Sequence, residues 1–563
     1  MRNTLILLPF ASLLALACAP PAEEIASTES VIAEAGLARE QITAENLRAP
    51  IAELSSDEYA GRGPGSEGDE MTRRYLIADL EEIGFTPAAA DGSWEQPFDI
   101  VGIDASAPET WTFTKGGKSV SLKWWDEYIA SSGVQEEKAA IDNAELVFVG
   151  YGIQAPEYDW DDFKGMDVSG KVLVIVNNDP DWSDDLFEGV RRLYYGRWTY
   201  KYEKAAELGA AGAIIIHTTP SAGYPFQVVQ TSWTGPQFEI PAAGEPRIQV
   251  PAWTSEEAMY KIFELAGQDL DELREAARSR DFTPVPLGVT TSLELTNAIQ
   301  RVQTANVIAT LAGRDPALAD EYIVYSAHHD HLGVGKPNDA GDEIYNGALD
   351  NASGCAQVLA IARAFAALPD KPRRSIMLAF VAAEEQGLLG SAYFARNPPV
   401  PAGRISANIN YDGANIWGRN RDVTYIGYGK SSLDAVVEKY AAEQNRTVKP
   451  DQFPDRGFFY RSDQFNFAKI GVPAIYLDTG TAFVDRPEGW GKEQIEAWEA
   501  VHYHQPSDEL VNDWNFEGMV DDALLGFDMG LYRAEQEERP TWNPGDEFEA
   551  ARLEALANLG AGN

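Results

Sequence analysis

The sequence predicts an α/β protein, a mixed central sheet flanked by helices with a separate β-rich module inserted into it. Three observations carry this. From about Leu295 the apolar runs NVIATL, EYIVYSA, RSIMLAFVAA, ISANINY and VPAIYLD alternate with helical stretches such as 354–368 and 431–445. Ahead of them, residues 140–295 mix short strands (AELVFVGYGI, KVLVIVN, AGAIIIHTT) with one or two helices. Finally, the few histidines and several acids gather where those later strands end, and ligands of open α/β sheets collect at carboxyl edges.

Taken in order, residues 1–18 read as a targeting signal. Arg2 supplies positive charge, Leu5 to Ala17 is an apolar run too short to span a bilayer, and Cys18 follows a small residue. Cys18 resembles a bacterial lipoprotein cleavage site, although Ala15 stands where leucine is usual. That resemblance implies export and attachment to the cell envelope through a lipidated Cys18; a plain cleaved secretory signal is the competing reading. Residues 19–39, rich in Ala, Glu, Ser and Pro, read as a tether. Residues 40–139 form the first part of the main domain. Within them Met71, Tyr75, Leu76, Leu80 and Ile83 fall on one helical face that stops at Gly84. The inserted module (140–295), the main domain's larger part (296–540) and a tail (541–563) with one short helix and a flexible end complete the chain.

At 563 residues the chain needs more than one core, and 44% apolar residues can fill them. Acids outnumber bases 88 to 45, a net charge of −43 that repels phosphate backbones, so nucleic acid is excluded as a partner. The two cysteines allow no disulfide once Cys18 is lipidated. Cys355, at the start of an apolar helix, reads as a small buried hydrophobe.

Five of six histidines lie in two clusters, His328, His329 and His331, then His502 and His504. Between them come Asp350 in GALDNASG, Glu384 and Glu385 in AAEEQGLLG, and Asp412 in NINYDGAN. Imidazole and carboxylate are the ligands of hydrolytic zinc.

This order, with SAHHDHLG, GFFYRSDQFNFAKIGVPA and YHQPSDE around it, resembles the co-catalytic zinc aminopeptidases, which include bacterial leucyl aminopeptidases and glutamate carboxypeptidase II. The resemblance covers roughly residues 40–120 and 295–535. The insert is similar to the protease-associated domain in VGYGI, DVSGKVLVIVNND and KAAELGAAGAIII. Together these imply a zinc-exopeptidase fold and two Zn²⁺. His328 and Asp412 would hold one ion, Glu385 and His504 the other, and Asp350 would bridge them, along with a water acidified by both. Glu384 would be the general base. Asp330 would fix the His328 tautomer, and Tyr503 would donate to the oxyanion. Relatives carry a cis Asp350–Asn351 bond. His329 is expected to be structural, His331 to lie at the site rim, His502 outside the metal shell and His217 in the insert's core. Asp463 resembles a family position near the site, but Gln464 replaces the histidine that usually follows it.

The implied activity is removal of N-terminal residues from peptides. A carboxypeptidase would need a cation for the terminal carboxylate, and Arg456 and Arg461 are the nearest candidates. Two rival functions remain on this scaffold: a binding protein without metals, as in transferrin receptor, and a single-zinc glutaminyl cyclase.

Overall fold

The computed structural model describes residues 31–561, apart from 33, 34, 184, 185, 223 and 339. The signal and Cys18 lie outside the described residues. Among the described residues no helix is long and apolar enough to cross a membrane.

The central sheet is mixed. Strand Tyr322–His328 runs parallel to both Ser375–Val381 and Ile405–Asn410, and the latter runs parallel to Ala474–Asp478. Asp422–Ile426 and Thr447–Pro450 extend one edge, and the end of the long strand Val285–Leu311 caps the other, antiparallel to Ser375–Val381. Strands Tyr322–His328 and Ser375–Val381 are buried at nearly every position, as expected of parallel strands covered on both faces.

One face is covered by helices Ala44–Leu54, Glu67–Ile83, Ser353–Ala367 and Glu517–Glu535, whose apolar residues share one core with the sheet. Ser353–Ala367 is apolar almost all round because it lies between the sheet and other helices. Glu67–Ile83 forms as its sequence predicts. The Ser66 side chain caps its first turn by accepting from Asp69 N, and Gly84 ends it in the left-handed region.

The insert hangs on a shared strand. Val285–Leu311 pairs with Glu95–Ser106 and Lys138–Phe148 before its last residues enter the central sheet. The insert has its own cores, around parallel strands Val172–Val176, Gly212–His217 and Val250–Ser255.

Three expected boundaries move. The insert begins near residue 107, not 140. The hairpin Thr110–Lys115/Lys118–Lys123 buries Trp111, Phe113 and Leu122 in the insert's core, and Tyr128–Ala130 pairs with Val250–Ser255. Its alternation of apolar and polar residues kept the composition uniform across that boundary. The tether does not reach residue 39, because Val31, Ala35 and Ala38 are buried against the main core. Ala38 in helix Gly36–Arg39 and Ala35 just before it are small enough to let this segment pack against the Ala-rich helix Ser353–Ala367. The tail is likewise part of the body. Trp542 and Phe548 are buried, and Arg552 donates to Ile405 O from helix Glu549–Ala561.

Candidate metal centre and active site

Each site residue sits where a strand or helix ends. His328 is the last residue of its strand. Asp412 follows Ile405–Asn410 by two residues, and Asp350 lies in the turn leading into Ser353–Ala367. The Asp350–Asn351 peptide bond is cis. Ala383, just after strand Ser375–Val381, has φ +57°, which breaks the strand alternation so that neighbouring Glu384 and Glu385 both turn into the site. His504 also has positive φ, +56°.

These turns bring the five expected ligands together. His328 Nε2 lies 3.2 Å from Asp350 Oδ1 and 3.2 Å from Asp412 Oδ1. His504 Nε2 lies 3.3 Å from Asp350 Oδ2 and 3.0 Å from Glu385 Oε2. Asp350 thus turns one oxygen to each histidine. Two donors bound at 2.0–2.1 Å on a tetrahedral ion stand about 3.3 Å apart, so these spacings match paired zinc ligands. The charge balance agrees. Asp330, Asp350, Glu384, Glu385, Asp412 and Asp463 crowd the cluster, and among the described residues none forms an ion pair with lysine or arginine. Buried Asp330 Oδ2 and Asp463 Oδ2 have no hydrogen-bond partner among the described residues. Buried carboxylates left this way need cations. The donor set fits two divalent ions of the zinc type.

With the side chains alone, the cluster polarises itself. Burial and neighbouring Asp412 and Glu385 hold the Glu384 carboxyl well above the usual range, against the opposing pull of His328. For Asp350 burial acts upward too, but hydrogen bonds with His328 and His504 outweigh it and hold the carboxylate well below its ordinary value. Burial works against a charged His504, yet Asp350 and Glu385 push it up to about 10.

The remaining histidines and Asp330 fall as follows. His329 is structural, its Nε2 on Asp69. His502 faces Ser507, and His217 sits among the insert's aromatic rings. His331 is no rim residue. It is fully buried, with Nδ1 2.6 Å from Glu385 Oε1, so it backs that ligand. Its imidazole belongs to the same donor cluster as Asp350 and Glu385, a ring nitrogen lying within 4.8 Å of both, while His504 Nε2 comes to 3.3 and 3.0 Å of them. Asp330 also differs from expectation. Its main-chain carbonyl, 3.2 Å from His328 Nδ1, stands nearer than its carboxylate at 3.8 Å. The carboxylate instead accepts from Glu384 N at 3.1 Å, because a two-residue reach favours the backbone oxygen.

The residues that hold the ligands were mostly invisible in sequence. Asp508 accepts from Leu349 N and Asp350 N at 2.8 and 3.0 Å, pinning the bridge. Ser462 donates to Asp412 Oδ2 at 2.5 Å. Gln464, where a histidine was expected, accepts from Asn410 instead. The Gly-rich segment before helix Glu67–Ile83 carries Arg62, buried, which donates to the carbonyls of Leu54, His329, Asn346 and Gly347 at 2.6–3.0 Å. It ties the His328 and Asp350 loops to the end of helix Ala44–Leu54. Arg62→Met leaves four buried carbonyls short of a donor and should cost about 3–5 kcal/mol, read as a lower denaturation midpoint. An unchanged midpoint would show that water or neighbours re-pair them.

A cavity of about 370 Å³ opens beside the cluster, bordered by Asp350, Glu384, Asp412 and Tyr503 and running out to Trp417, Phe453 and Trp498. The Tyr503 ring stacks on His504 at 3.8 Å; the residue is 43% exposed, and partial desolvation with the neighbouring Asp350 and Glu385 carboxylates strengthens its hold on the hydroxyl proton.

Residues 306–527 match the sequence profile of peptidase family M28. Over 211 residues the chain is 26% identical to leupeptin-inactivating enzyme 1 of Streptomyces exfoliatus, covering 37% of this chain and 43% of that protein. Over 222 residues it is 28% identical to leucine aminopeptidase 2 of Trichophyton rubrum, covering 37% and 41%. The chain therefore spans less than half the length of these curated relatives. A solved aminopeptidase from Aneurinibacillus sp. strain AM-1 superposes with a TM-score of 0.48 at 19% identity, covering 89% of this chain and 96% of that one.

Proposed function

From the match of residues 306–527 to the peptidase family M28 profile and from the site geometry, we propose that the chain is a two-zinc aminopeptidase acting on peptides. The observation that carries the reading is Asp350, whose two oxygens each face one histidine of a separate donor group. His328, Asp350 and Asp412 would hold one ion, and Asp350, Glu385 and His504 the other. The chemistry such ions supply when bound is polarisation of a carbonyl and acidification of water.

The chain's own groups do the rest. Glu384 borders the cavity without being one of the five ligands, and its raised affinity for protons suits it to accept one from attacking water and deliver it to the leaving amine. The Asp330 carboxylate fixes the backbone from which Glu384 projects. Tyr503, protonated and at the cavity edge, is placed to donate to the developing oxyanion.

The test is hydrolysis of one peptide series offered free, N-acetylated and C-amidated to zinc-loaded protein, with products identified by mass. Release of the first residue that needs the free amine and ignores amidation is expected. Cleavage that needs the free carboxylate instead would replace this reading with a carboxypeptidase.

A further inference from the structure

One wall of the active-site cavity is a helix that little else holds. Trp490–His502 supplies Ile495, Trp498 and Glu499 to the lining, and Tyr503 and His504 follow directly from its end. Yet of its 13 residues only Gly491 is buried. Its two ends are fastened. Gly491 approaches the body so closely that a Cβ there would stand 2.3 Å from Thr481 O, and the Trp490 ring packs on Phe483 at 5.2 Å. Beyond the other end, His504 reaches Asp350 and Glu385. Between these points, among the described residues, no hydrogen bond or ion pair joins the helix to another helix or strand. Its one ion pair, Lys492 with Glu496, lies within it, and His502 bonds only to Ser507 in the loop that follows.

Its own residues lend it little stability. Gly489 at the N-cap has no side chain to hold the first turn. Glu493, Glu496 and Glu499, all exposed, repel one another along one ridge, and Lys492 precedes Glu496, the weaker order for such a pair. A helix of this length is marginal in water unless a face is docked. What docks this one is apolar. Trp498 lies partly buried against the main core, Lys492 Nζ sits 5.1 Å over the Phe453 ring, and Ile495 and Trp498 turn to the cavity that Trp417 and Phe453 also line. A side chain placed in that cavity would add the contacts the helix lacks.

We propose that helix Trp490–His502 is a strap closed by the substrate: its middle turns open readily in the free protein and are held down when the side chain of the substrate's first residue fills the cavity against Ile495 and Trp498. The proposal rests on the peptidase reading and deepens it, because the strap ends at Tyr503 and so ties side-chain recognition to the placing of that hydroxyl.

The experiment follows hydrogen exchange of the zinc-loaded full chain by mass spectrometry, alone, with glycine hydroxamate and with L-leucine hydroxamate. The two compounds share an amine and a metal-binding group and differ in the side chain. The leucine compound should slow exchange across residues 493–501 by about tenfold or more, and the glycine compound should leave it unchanged. Ala497→Gly, on the exposed side of the helix, weakens it without touching the cavity. It should weaken L-leucine hydroxamate binding about three- to fivefold and leave glycine hydroxamate binding alone. Ala442→Gly makes the same change on helix Asp434–Glu443, which is docked through Val436, Val437, Tyr440 and Ala441, and should alter neither affinity. Binding of L-leucine hydroxamate with no slowing of exchange, or with equal affinity in Ala497→Gly, would overturn the strap while leaving the peptidase reading intact. Failure of both hydroxamates to bind, with no peptide hydrolysed, would overturn the peptidase reading and the strap with it.

Discussion

Replacing Glu384 by Gln lowers kcat by about 10²–10⁴-fold and leaves KM nearly unchanged. The size follows from the role, because an amide of the same shape keeps every packing contact and loses only the exchangeable proton. The backbone around it is held by bonds that do not involve the side chain: Glu384 N donates to Asp330 Oδ1, and Glu384 O accepts from both Gly387 N and Leu388 N at 2.8 Å. Zinc content should therefore stay at the wild-type level in this variant. A loss below tenfold would move the base role elsewhere, and Asp330 and Asp463, the latter buried and hydrogen-bonded to Ser391, are the other carboxyls near the cluster outside the five ligands.

Asp350→Asn has the other large effect, and here the metal is what changes. An amide offers one oxygen where the carboxylate offers two, so it serves at most one of the donor groups now reached through Oδ1 and Oδ2. Zinc measured after gel filtration should fall from two per chain to one or fewer, and activity should fall by more than the roughly 10–100-fold that loss of an outer hydrogen-bond partner costs. Asp508→Asn makes the useful contrast. Among the described residues the Asp508 carboxylate accepts only from the Leu349 and Asp350 amides, so its conversion to an amide should weaken metal affinity within that 10–100-fold range and keep the stoichiometry. Full zinc occupancy in Asp350→Asn would remove Asp350 from the bridging position.

The sheet and the gathering of the site residues at its edge were legible in sequence, whereas the ligand roles came only from the family resemblance. The strands before His328 and Glu384 are almost wholly apolar, and the one before Asp412, though it carries Ser406, Asn408 and Asn410, is buried throughout, so a charged residue at such a strand's end is conspicuous. What supports the ligands was harder to read. Arg62 acts through four backbone carbonyls, and no side-chain pattern announces a carbonyl partner. Asp508 lies only four residues beyond His504, within YHQPSDE, yet its work is also on backbone amides. His331 shows the limit of spacing arguments, since its burial depends on Gly347 leaving room for the ring, whose Cδ2 would stand 2.6 Å from a Cβ there. The insert's early start and the docked ends share a cause: the segments bury small or widely spaced residues, as Ala35, Ala38 and Trp542 do, without a run of apolar sequence.

Anomalous diffraction at the zinc edge from zinc-loaded crystals tests the central claim most directly. Two peaks are expected, one among His328, Asp350 and Asp412 and the other among Asp350, Glu385 and His504. A single peak, or a second one held away from Asp350, would contradict it.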